Sequence, residues 1–146
     1  MIDPKNVPPV GIKEVVARYV LASKASKLVY EDGTAKHGLF NPYKQLVSVN
    51  RHLGCTESEI WEFGYGVANF RKKPLQGRFD LTVASCTFEG LKVNAEPIED
   101  DPDGVPDNPN HADIAGFPKN KPDQKSFVLK LADNAGKRIP PPSIED

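Results

Sequence analysis

The amino-acid sequence predicts one α+β domain, a small, mainly antiparallel sheet with about three helices, and three observations carry that reading. Phe79–Ala84 and Leu91–Ala95 alternate apolar and polar residues with the period of two of a half-buried strand. Thr56–Phe70 and Pro122–Gly136 carry apolar residues at helical spacing between start and stop signals. The 146 residues suit a single core, with no internal repeat and no shift of composition that would mark a second domain. The division that follows is an extended N-terminal arm over residues 1–10, a domain over 11–139 and a C-terminal tail over 140–146.

Taken in order, the arm holds three prolines. From Gly11, residues Ile12, Val15, Val16, Tyr19 and Val20 recur at i, i+3, i+4, i+7 and i+8, the stripe of an amphipathic helix. Glu14 and Arg18 stand four apart on its other face, where Arg18 reads first as a surface ion-pair partner. The β-branched valines keep a strand as the second choice. Asp32-Gly33 between Leu28–Glu31 and Thr34–His37 is a hairpin signal of the type I′ kind, with His37 on the surface. After a turn at Gly38–Tyr43, Gln45–Val49 reads as a strand.

Thr56 and Glu59 form a capping box, followed by a helical stripe of Ile60, Phe63, Val67 and Phe70. Gly64 and Gly66 inside it imply close packing or a break. Arg71, Lys72 and Lys73 complement the helix C-terminus and, with Arg78, form a basic patch. The two alternating runs then look like an antiparallel pair. Glu96–Asn110 is acidic and proline-rich and must be a loop, His111–Ala115 suits a short strand, and Pro122 opens the last helix, which Gly136 closes.

Composition narrows the function. A formal net charge of −1 argues against a dedicated nucleic-acid binder. No run reaches the length of a membrane span, and the N-terminus lacks a basic-then-apolar signal, so no membrane partner is expected. Cys55 and Cys86, without an export signal, read as free thiols in a reducing compartment, which makes the cytoplasm the expected location.

The densest stretch is Asn108–Lys121, NPNHADIAGFPKNK. If His111–Ala115 is extended, His111 and Asp113 project from one face, a spacing that lets a carboxylate orient an imidazole or lets the pair bind one ligand. The competing explanation is that Asn, His and Asp beside proline turns satisfy loop backbone groups. The acidic loop, with Glu99, Asp101, Asp103, Gly104 and Asp107, is spaced like a calcium loop, and DPDGVPDNP resembles part of the thrombospondin type 3 repeat. It departs from that pattern at Glu99 and at Asn110, where the terminal carboxylate belongs, and it occurs once, so a solvated loop is the better reading. His52 and Cys55 have the spacing of a zinc half-site without a second half. The phosphate-loop, dinucleotide, zinc-protease and nucleophile-elbow motifs are absent.

The succession DGT…GLFNPY…LVSVNR, the WEFG helix and NPNHADIAGFPKNK resembles, over roughly residues 14–140, a group of small uncharacterised bacterial proteins. The resemblance implies that Phe40–Arg51 and Asn108–Lys121 are motif segments, and it implies no activity. Together these observations predict a small accessory domain that binds a ligand or a protein partner, with His111 and Asp113 at or near the contact and Asn110, Arg51, Ser48 and Arg18 as ligand-binding candidates. The alternative is a hydrolase or transferase with His111 as acid–base and Asp113 orienting it. A calcium-stabilised module built on residues 99–110 comes third. Neither a cofactor nor a metal site is expected.

Overall fold

In the computed structural model, which describes residues 1–143, five antiparallel strands and three helices form one mixed α+β domain. The strands are β1 (Val15–Leu21), β2 (Val47–Arg51), β3 (Leu75–Thr82), β4 (Lys92–Ala95) and β5 (His111–Ala115). The helices are α1 (Glu57–Arg71), α2 (Val83–Cys86) and α3 (Lys121–Asn134). The sheet order is β3-β1-β2-β5-β4. Part of the expected tail, residues 144–146, lies outside the described residues.

The segment expected to be the first helix is instead β1. It pairs with β3 along its whole length and with β2 at Val16–Arg51 and Ala17–Asn50. A strand covered on both faces needs apolar residues on both sides, and the resulting run imitates helical spacing. Val16 and Val20 enter the main core, while Ala17 and Tyr19 face α1. A second correction concerns β3 and β4. They do not pair but lie at opposite edges, because α2 breaks the alternation at Val83 and turns the chain across the core. The Asp32-Gly33 hairpin shrinks to one Val29–Ala35 bridge, and only Gly33 takes a positive φ (89°). The turn is thus a three-residue loop with a left-handed last residue rather than type I′.

One sheet face carries the main core, where Val16, Val20, Val47, Val49, Phe79, Leu81, Val93 and Ile114 pack with Val128 and Leu131 of α3 and Leu39 and Phe40 of a 3₁₀ turn at His37–Phe40. Helix α1 covers part of the other face. Its capping box forms as the sequence predicts, with Glu59 N–H donating to Thr56 Oγ1 and Thr56 N–H to Glu59 Oε1. The helix runs unbroken past Gly64 because that glycine is an approach point: a Cβ there would lie 2.7 Å from Tyr19 Cε1. The Tyr19 hydroxyl donates to the Ile60 carbonyl and ties strand to helix.

Candidate functional site

Helix α1 covers only the β1–β3 half of its sheet face. The uncovered half, the loop 98–108 and the segment 38–46 enclose a cavity of about 620 Å³ together with α1. Its size falls in the range of about 300–1,000 Å³ usual for small-molecule pockets. Leu21, Leu28, Phe63, Val67, Ile98 and Val105 supply apolar wall, and Arg18, Ser48, Asn50, His111 and Asp113 are polar groups on the sheet side.

The strand register creates this grouping. Ser48 pairs with Asp113, and Asn50 with His111, so all four side chains point to the same face. His111 Nδ1 lies 2.7 Å from the Glu96 carbonyl, which accepts its proton and leaves Nε2 an acceptor when the ring is neutral. Nε2 stands 3.7 Å from Asp113 Oδ1, beyond hydrogen-bond distance, and Ser48 Oγ donates to the same oxygen at 3.4 Å. The group orienting the imidazole is therefore a backbone carbonyl, and Asp113 lies across the ring's other nitrogen. Asn50 Oδ1 accepts from Asn108 Nδ2 at 2.7 Å, fastening the base of the acidic loop to the sheet.

Arg18 enters by a different route. Continuing the β1–β2 ladder would set Ser48 opposite Tyr19, but no pairing forms there. The Arg18 guanidinium takes up the orphaned backbone instead, with Nη1 donating to the Ser48 carbonyl and Nε to the Leu39 carbonyl, both at 2.9 Å. Burial and the nearby Arg71 charge hold Arg18 down at about 10, against the pull of Asp113, so it remains charged at neutral pH.

The two remaining sequence candidates lie outside the cavity lining. Arg51, fully buried, binds both oxygens of Glu14 at 2.7 and 2.8 Å and the carbonyls of Pro8 and Pro9. Asn110, also fully buried, accepts from the Ile2 amide and donates to the carbonyls of Arg51 and Leu53. Both bind the first ten residues to the sheet. Arg78 likewise leaves the surface patch expected for it: it is buried against Trp61 and pairs with Glu57 and Asp80.

The weaker candidates have structural partners. His52 Nε2 meets Asp80 Oδ1 at 3.1 Å, and Cys55 Sγ accepts from Asn110 Nδ2. Burial pushes the Cys86 thiol up to about 11, far from a reactive thiolate. In the acidic loop, Asp101 and Asp107 accept from loop amides, and among the described residues no group of three or more His, Cys, Asp or Glu is gathered to hold a metal ion.

The sequence reading passed over α1's share of the site. Phe63 and Val67 sit on the predicted apolar stripe but wall the cavity, while Ile60, Trp61, Gly64 and Ala68 are buried. A helix with more apolar side chain than its glycine-mediated contact can bury was the available signal. Compared with known proteins, the chain matches no protein-family model, no curated protein and no solved structure. Among the described residues no helix is long and apolar enough to cross a membrane.

Proposed function

We propose that this domain binds a small molecule in the cavity between α1, the sheet and the 98–108 loop. The observation that carries the reading is convergence: Arg18, Ser48, His111 and Asp113, distant in sequence, line one space together with the apolar side chains of Leu21, Leu28, Phe63, Val67, Ile98 and Val105. Apolar wall gives a ligand its affinity and a few fixed polar groups give it orientation. The cavity also explains why Phe63 and Val67 stay only half-buried on a helix that otherwise packs closely.

Acid–base chemistry at His111 is the second reading, favoured by the Glu96 carbonyl that fixes the ring with Nε2 inward. Asp113 beside that nitrogen competes with a substrate for the same position, which makes binding the simpler role.

A plug tests the proposal. Gly66 lies on the cavity wall, and a Cβ there meets nothing within 4 Å, so Gly66→Phe introduces a ring at a position with room for its first carbon. A fragment collection screened by ligand-observed NMR should give hits on the wild-type domain that disappear with Gly66→Phe. Hits retained by a folded plugged variant would place the binding surface elsewhere.

A further inference from the structure

We infer that the polar end of this cavity is an oxyanion site, and that the ligand is an amphiphile with a single carboxylate held by Arg18 and an apolar body against α1. The inference rests on the small-molecule reading above and adds the ligand's chemistry.

Among the described residues four arginines hydrogen-bond through their guanidiniums: Arg18, Arg51, Arg78 and, away from the cavity lining, Arg138, whose Nη1 donates to the Gln76 carbonyl. Arg51 is bidentate to Glu14, and Arg78 pairs with both Glu57 and Asp80. A guanidinium withdrawn from water normally has such a partner, because an isolated charge there is costly. Arg18 departs from the pattern. Its hydrogen bonds go to two neutral carbonyls, and among the described residues no carboxylate lies within 4.0 Å of it. Among the described residues its Nη2 edge makes no hydrogen bond, and Arg18 lines the cavity. Asp113, too far to pair, attracts it, and the Arg71 charge repels it. An oxyanion between Arg18 and the Arg71 side of the cavity would satisfy the free N–H groups and relieve that repulsion.

The charge of the lining sets the charge of the ligand. Arg18, Lys44, Arg71 and Lys73 face Glu62, Asp107 and Asp113, so the cations exceed the carboxylates by one. That excess matches a monoanion and disfavours a phosphate dianion. Ser48 Oγ and His111 extend the polar floor beyond the carboxylate site, and Leu21, Phe63 and Val67 accept the apolar remainder.

The test is a matched panel measured by calorimetry: straight-chain and phenyl-substituted carboxylates, the corresponding primary amides, and the corresponding alkyl phosphates. At least one carboxylate should bind about tenfold or more tightly than its amide, as a charge-assisted hydrogen bond warrants. Arg71→Met, an exposed change that leaves the Arg18 hydrogen bonds intact, should shrink that ratio several-fold. Arg18→Lys, which keeps a charge but loses the forked donors, serves as the second variant if it folds. Acid and amide binding equally, with both blocked by Gly66→Phe, overturns the oxyanion site while the small-molecule reading stands. Phosphates binding tighter than carboxylates overturns the carboxylate assignment. If no member binds, or Gly66→Phe leaves binding unchanged, the small-molecule reading fails and this inference with it.

Discussion

Three arginines, Arg18, Arg51 and Arg78, look alike as letters, yet Arg51 and Arg78 are paired with carboxylates while Arg18 bonds only carbonyls. Arg51 is a fastener: its guanidinium closes on Glu14 and on the carbonyls of Pro8 and Pro9, joining β2, the approach to β1 and the N-terminal segment. Removing one partner of a buried pair strands the other, so Arg51→Ala should lower the unfolding free energy by about 3–5 kcal/mol. Urea denaturation measures this directly. A change within about 0.5 kcal/mol, the scale of an ordinary surface substitution, would show that the pair holds nothing. Arg18 instead donates to two backbone carbonyls and lines the cavity, where the proposed ligand would meet it.

At the scale of the element, α1 holds two glycines that act in opposite ways. Gly64 lets the helix settle onto Tyr19, whose ring is restrained by its hydrogen bond to Ile60. A Cβ at position 64 would lie 2.7 Å and 2.9 Å from two Tyr19 ring atoms, and the tethered ring cannot swing clear. Gly64→Ala should therefore destabilise the domain by about 1–3 kcal/mol, the usual cost of overpacking. Gly66 faces open space, so Gly66→Ala should stabilise it by about 0.5–1 kcal/mol through helix propensity alone. Denaturation midpoints of the two variants should move in opposite directions, and a shared direction would remove the close-approach argument. In sequence the two glycines are equivalent, since their difference is created by a strand some forty-five residues earlier.

Across the whole molecule, buried charge couples stability to pH. For Glu14, burial raises the carboxyl, but hydrogen bonds from Arg51 and the Gly11 amide and the Arg51 charge outweigh it, so the net position is below the ordinary value. At Asp80 burial likewise raises and the bonds from His52 and Arg78 lower, with the same net direction. A depressed carboxyl contributes stability above its unfolded value, near 4, and that contribution disappears as pH falls through the folded value. The thermal midpoint should accordingly hold steady from neutrality down to about pH 5 and fall below about pH 4. Glu14→Gln should start lower at neutral pH and lose less on acidification. An acid limb as steep as that of the wild type would remove Glu14 from the linkage.

Much of the architecture was legible in local chemistry. The capping box at Thr56, the proline-opened α3, the alternating β3 and β4 and the extended His111–Ala115 segment all declare themselves within a few residues, because caps, turns and period-two patterns are short-range physics. The facing of His111 and Asp113 on one side followed from the same period. Tertiary structure alone decided the rest. β1 carries apolar residues on both faces because a helix and the core cover it from opposite sides, so its periodicity was ambiguous. Strand order depended on where α2 sent the chain. The division of the site candidates depended on which residues the sheet register brought together: Ser48 beside Asp113 over the cavity, Arg51 and Asn110 behind it. Residue types specify what a side chain can do, and long-range pairing determines what it meets.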